Sequence, residues 1–259
     1  MTYLVFDIET VPNDELLRSA EGMSAEEYRK SKETDFIPVS YVQPVSVAVG
    51  RVNRGYELES LVALEEAATH AYQTPTLFEA CAEKALVEAF WDGWSRYNAK
   101  GNVTFVTFNG RRYDVPVMEC AAFRHGVSIP QWFNTHAKSW DQNRNRYNVK
   151  SHFDIAEVLS AHGSFPISGG LNMLAKALGL PGKMGVCGSN VESMYRSGQH
   201  GDITQYCKCD VLDTYLVFLR MNVMMGNVTC TRERDLRKVA FQIASESGLT
   251  EYTEHADPM

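Results

Sequence analysis

Apolar and polar positions follow two periods along this chain, and the alternation predicts a sheet followed by helices. Tyr3 to Ile8 is a short apolar run rich in β-formers, and it reads as a buried strand that Pro12 brings to a stop. Asn13 to Asp35 is polar and charged, with Leu16, Leu17, Met23 and Tyr28 scattered through it. It reads as one or two surface helices, or as a mobile excursion. Val45 to Val52 and Tyr56 to Val62 read as two strands, and Asn53-Arg54-Gly55 is a hairpin turn signal between them. Thr76 to Asn98 has its apolar residues near a helical period, Val103 to Phe108 is a compact strand ending at Asn109-Gly110, and Pro116 to His125 reads as a helix.

Val127 to Asn148 is rich in Asn, Gln and Trp and reads as irregular. Asp154 to His162 and Leu171 to Leu178 are short helical patterns, Pro181 to Ser189 is loop-like, and Asp202 to Met225 is the strongest helix. Strands, a helix, a strand and then mostly helices suit an α/β fold with a mixed sheet covered on its faces. The domain is expected to span residues 1–225, with 226–259 a charged, peripheral C-terminal tail.

Composition narrows the class. With 25 Lys+Arg against 32 Asp+Glu the formal charge is −7, which argues against a passive nucleic-acid coat. It does not exclude a nuclease, whose acids are neutralised by bound cations. The six cysteines have no CxxC spacing and read as free cytosolic thiols. Cys207 and Cys209 lie two apart in a helical pattern and point in different directions, which speaks against a shared metal. The N-terminus lacks a signal-peptide pattern and no apolar run is long enough to span a bilayer, so the expected location is cytoplasmic, without a membrane partner.

Three segments carry candidate chemistry. Asp7 and Glu9 are two apart on a strand and so share a face. Adjacent acids repel, so they are solvated, protonated or metal-bound; hard oxygen ligands suit Mg2+ or Mn2+. A solvated strand end is the plainer alternative. Asp114 follows the Asn109-Gly110 turn, where a helix cap is the plainer reading. Tyr206 and Asp210 are four apart on the strongest helix and share its face. An acid paired to a neighbouring base is the alternative there.

Together and in this order the segments resemble the three motifs of the DEDD exonuclease superfamily: D-x-E at Asp7 and Glu9, N-x-x-x-[F/Y]-D at Asn109, Tyr113 and Asp114, and Y-x-x-x-D at Tyr206 and Asp210. The tyrosine places the chain in the DEDDy branch. Stretches at 6–12, 44–49, 152–159, 171–188 and 209–220 are similar to a bacterial family of predicted 3′–5′ exonucleases related to the exonuclease domain of family B DNA polymerases. The resemblance covers about Tyr3 to Arg220, and residues 13–35 find no counterpart in the motif set.

What the resemblance implies is a ribonuclease H-like fold, with a mixed five-stranded sheet and helices on both faces. It also implies hydrolysis from the 3′ end of DNA, single-stranded or frayed, with two divalent cations, Mg2+ or Mn2+. Asp7 would bridge both cations, Glu9 and Asp210 would hold the one carrying the attacking water, Asp114 would support the second, and Tyr206 would orient the water. A 3′–5′ exoribonuclease and a catalytically decayed nucleic-acid-binding module are the alternatives. The partner is a nucleic acid with a free 3′ end, and a replication or repair complex is an assembly such a chain could serve.

A strand-binding surface is sought where basic and aromatic residues mix. Residues 111–152 hold seven Lys/Arg and three Asp/Glu, with Trp132, Phe133, Trp140 and Tyr147 among them. Arg111, Arg112, Arg144, Arg146 and Lys150 are the candidate phosphate contacts, with Lys183 a further one. Asn109 is a further candidate nucleic-acid contact, and the resemblance implies that Thr10, directly after the D-x-E, lies near the terminal nucleotide. Asp154 reads as a cap for the following helix.

Overall fold

A computed structural model describes residues 2–65, 82–182 and 188–256. Its five strands are β1 (Thr2–Pro12), β2 (Val42–Val52), β3 (Leu58–Ala63), β4 (Val103–Thr107) and β5 (His152–Asp154). They lie in the order β3-β2-β1-β4-β5. β2 is antiparallel to β1 and β3, whereas β1, β4 and β5 run parallel. This is the ribonuclease H-like arrangement the resemblance implies. The hairpin turn is where Asn53-Arg54-Gly55 predicts it: the Asn53 side chain accepts from the Gly55 N–H at 2.8 Å.

Helices cover both faces. They are α1 (Asp14–Glu21), α2 (Ala25–Lys32), α3 (Ala82–Ala99), α4 (Asp114–His125), the one-turn α5 (Pro130–Phe133), α6 (Ile155–Leu159), α7 (Gly170–Ala177), α8 (Gly188–Arg196), α9 (His200–Met224), α10 (Cys230–Glu246) and α11 (Thr250–His255). The strand period sorts the central β1 residues between two cores. Leu4, Phe6 and Ile8 pack with Phe90, Trp91 and Trp94 of α3. Tyr3 and Val5 face α9, against Val211, Tyr215 and Phe218. Asp7 and Glu9 follow Tyr3 and Val5 in the same phase, so the strand delivers them to the α9 side.

The polar stretch after β1 forms two capped helices. Asn13 accepts from the Leu16 N–H at 2.9 Å, Ser24 and Glu27 form a capping box, and Leu17 is fully buried. The irregular segment after α4 is tied down by Trp132, fully buried with its ring 5.5 Å from Trp91 and 5.2 Å from Phe105.

Two expectations are corrected. β5 has only three residues, too few to show a period, and it precedes α6 where the pattern reads as helix alone. Residues 226–259 are not a peripheral tail over their described part. Leu236, Ala240 and Ala244 of α10 and Tyr252 of α11 are buried in the same core as α9. Their charged neighbours hide the stripe: Glu233 and Arg237 are themselves buried, Glu233 accepting from Arg220 at 2.7 Å and Arg237 donating to the Leu178 carbonyl at 3.1 Å.

The described cysteines Cys120, Cys207, Cys209 and Cys230 are free thiols. No helix among the described residues is long and apolar enough to cross a membrane.

Candidate active site

The site begins where β1 outruns its parallel neighbour. The β1–β4 ladder runs from Thr2↔Val103 to Val5↔Val106. Beyond it the Ile8 N–H donates to Asp114 Oδ1 at 3.3 Å, so the acid at the head of α4 takes over where the ladder ends. On the other side of β1 the register with β2 slips between Glu9 and Thr10, with Pro44 opposite Thr10. Proline has no N–H to continue the ladder, and a bulge of this kind re-aims side chains.

Asp7 and Glu9 share a face as their spacing predicts. Their carboxylate oxygens and Cys207 Sγ of α9 lie within 4.8 Å of one another. Glu9 is buried and Asp7 half-buried. The Cys207 thiol donates to the Asp7 carbonyl at 3.3 Å and is 3.9 Å from Asp7 Oδ2. Burial, then the charges of Asp7 and Glu9, push that thiol well above its ordinary value, so it is protonated.

On α9 Tyr206 directly precedes Cys207, and Asp210 follows about one turn on. Burial raises the Tyr206 phenol above the ordinary tyrosine range, followed by the charges of Asp210, Glu9 and Asp7 and a hydrogen bond to Asp210. Asp114 is fully buried and its carboxyl is pushed up to about 7, first by burial and then by the charges of Asp154 and Asp210; N–H donors, its own and that of Ile8, oppose the rise. The acids of three distant segments therefore act on one another. Tyr113 faces the same field, with its hydroxyl 2.7 Å from Thr10 Oγ1.

The turn before α4 is built for this placement. Asn109 has φ of 62°, a left-handed conformation that asparagine tolerates. A Cβ on Gly110 would stand 2.6 Å from the Thr107 side chain, so only glycine fits there. Asp154 holds the turn, accepting from the Asn109 and Arg111 N–H groups at 2.9 Å each, and it also caps α6 through Ala156 at 3.0 Å.

The candidate phosphate contacts separate into two kinds. The Arg111 guanidinium faces inward, 3.1 Å from Glu157 and 2.8 Å from the His152 carbonyl. Arg146 reaches the same Glu157 at 2.9 Å. Arg144 is paired with Glu119 at 2.9 Å and lies 4.7 Å from the Phe133 ring centroid. Trp132 faces the core and donates to Glu119. Arg111 thus faces inward, whereas Arg144 and Arg146 are paired to glutamates yet still exposed. Arg112 and Lys150 are exposed, as are Trp140 and Tyr147. Arg112, Asn109, Phe108 and Phe165 line one cleft of about 490 Å3. Lys183 lies outside the described residues.

Three features escape the sequence. Cys207 is one: its thiol meets a strand acid, a pairing that cysteine-to-cysteine spacing cannot reveal. Glu65, just past β3, is another; it accepts from Thr204 of α9 at 2.9 Å, from the Val47 N–H at 3.2 Å, and from the Ser46 hydroxyl. Ser46 is the register partner of Glu9, so Glu65 ties β2 to α9 beneath the acids. The third is the C-terminal wall: Leu249, Glu251 and Tyr252 line a cleft of about 390 Å3 with Tyr206 and Asp210.

Residues 34–257 match the family model described as predicted 3′–5′ exonuclease related to the exonuclease domain of PolB; Asp7 and Glu9 precede the matched span. No curated protein matches the chain. Among solved structures it is similar to a product-bound exonuclease I, at 15% identity and TM-score 0.40, over 87% of this chain and 48% of that one. It is also similar to E. coli exonuclease I in complex with a dA16 oligonucleotide, at 16% identity and TM-score 0.39, over 88% of this chain and 45% of that one. The chain thus spans about half the length of these proteins.

Proposed function

The chain belongs to the family of predicted 3′–5′ exonucleases related to the exonuclease domain of PolB, and from that premise we propose that it removes nucleotides stepwise from the 3′ end of DNA, at single-stranded or frayed ends, with two divalent cations. DNA is favoured because the family is defined by its relation to a DNA polymerase's exonuclease domain. The observation that carries the reading is the convergence of Asp7 and Glu9 with Asp114, through Ile8, and with Asp210, through Tyr206.

The residues fit such cations. Carboxylates that raise one another's proton affinity in a buried setting are hard-oxygen donors whose repulsion a cation relieves. Asp7, Glu9, Asp114 and Asp210 would hold Mg2+ or Mn2+. When bound, two such ions activate water and neutralise charge on the phosphoryl and leaving oxygens.

The chain's own groups do the positioning. Tyr206 stays a neutral phenol at working pH, so it guides water by a hydrogen bond rather than as a base. The Ile8 N–H fixes one oxygen of Asp114. Thr10 and Tyr113 brace each other beside Glu9, where the strand's end would lie. Asn109, Arg112 and Lys150 are the contacts proposed for the strand behind it.

The test is one degradation series with 5′-labelled single-stranded DNA, duplex DNA with a recessed 3′ end, and RNA, each with Mg2+, Mn2+ or EDTA. Stepwise shortening of the DNA strand with either metal and none in EDTA is expected. Faster shortening of RNA would transfer the reading to an exoribonuclease, and strands bound but intact in every metal would make it a binding module.

A further inference from the structure

Resting on that nuclease reading, we infer that Glu65 is a positioning residue: its one carboxylate holds β2 and α9 together and so sets how far Tyr206 and Asp210 stand from Glu9. Glu65 lies just past β3, and the β2–β3 ladder runs to Ala48↔Ala63. One residue beyond that pair, the Val47 N–H donates to Glu65 Oε2 at 3.2 Å. Glu65 thus stands in for a strand partner where a ladder ends, as Asp114 does for Ile8 of β1. Its other oxygen joins two elements: Oε1 accepts from the Ser46 hydroxyl of β2 and from the Thr204 hydroxyl of α9, the latter at 2.9 Å. Ser46 is the register partner of Glu9, the last pair before the bulge. Thr204 precedes Tyr206 and Asp210 on the same helix. One atom therefore connects the two sides of the acid cluster.

The donors dictate the residue type. Two hydroxyls and a backbone N–H point at Glu65, and a carboxylate accepts at both oxygens and donates nothing. A glutamine there would turn an NH2 group either on the Val47 N–H, which can only donate, or on the two hydroxyls. Ser46 and Thr204 are both buried, so a lost acceptor is not made good by bulk water. The placement is also electrostatically unfavourable, because it adds a negative charge beside the acids. After burial, Asp7 and Glu9, Glu65 is the next influence that pushes the Cys207 thiol up. Clustered acids tend to separate, and a link that spans β2 and α9 opposes that separation.

The experiment measures single-turnover removal of the terminal nucleotide at saturating strand and Mn2+, the strand affinity, and the Mn2+ affinity by titration calorimetry without strand, each per folded molecule. Glu65→Gln is expected to lower the rate and the Mn2+ affinity by roughly ten-fold each, with strand affinity kept. Thr204→Val should give a similar loss, and the two changes together should cost little more than either, because both break one link. A wild-type rate and Mn2+ affinity in Glu65→Gln, a loss confined to strand affinity, or losses that multiply in the double variant overturn the positioning role and leave the nuclease reading intact. Should Glu65→Gln not fold, Thr204→Val decides by the same two readouts. A wild-type protein inert on every strand defeats the nuclease reading, and this inference with it.

Discussion

Two charged regions of this molecule behave in opposite ways. Between Arg111 and His152 the basic residues look like a surface for phosphate, yet Arg111, Arg144 and Arg146 are each seated on a glutamate. Around the end of β1 the acids are drawn towards one another: Asp7 beside Glu9, and Asp114 within the field of Asp210. A charge facing its opposite lowers the energy of the fold. A cluster of like charges raises it, and is kept where another benefit offsets the cost. Function is therefore sought at the second region, and most of the first is scaffold.

The comparison breaks most sharply at the acids. Asp7→Ala or Asp210→Ala should cut strand digestion by about a thousand-fold or more. Since each removes a repelling charge, thermal melting should stay level or rise. Full activity in either folded variant would end the proposed assignment. On the scaffold side, Glu157→Ala strands the buried Arg111, at a cost of about 3 kcal/mol. Urea unfolding should register that loss while the rate per folded molecule is kept; a variant as stable as wild type would show the pair to be idle.

Finer tests sharpen the contrast. Tyr206→Phe should slow hydrolysis by roughly 10- to 100-fold, with Mn2+ affinity, followed by titration calorimetry, unchanged. An unaltered rate would remove Tyr206 from the reaction and leave the acids in place. The smallest effect separates two arginines. Arg112→Ala should weaken strand binding a few-fold and lower the slope of log affinity against log salt by about one. Arg144→Ala, which loses a partnered side chain, should leave that slope where it was. Equal slopes in the two variants would erase the distinction between presented and committed cations.

What could be read from residues alone follows the same division. The five-stranded arrangement was implied by the resemblance alone, whereas four of the five strands and the shared face of Asp7 and Glu9 were legible because strand phase is a local property. Asp154 could be read as a cap for the same reason. The inward turn of Arg111 was not legible, since its partners Glu157 and the His152 carbonyl are set by tertiary packing. Glu65 depends on Thr204, 139 residues away, and no local pattern announces that. The C-terminal helices were obscured by composition: Glu233 and Arg237 read as solvated charges, yet both are buried.

One feature of the site bears on how the chain comes into being. The bond from Ile8 to Asp114 joins residues 106 apart, and the one from Cys207 to Asp7 joins residues 200 apart. Contacts this distant form late, because the intervening chain must first be ordered. During synthesis Asp7 and Glu9 leave the ribosome about 200 residues before the part of the helix that faces them. Until that helix follows, the centre is dispersed, so a polypeptide that stops short of it carries the acids without the geometry. On the proposed reading, any capacity to cut waits for that helix.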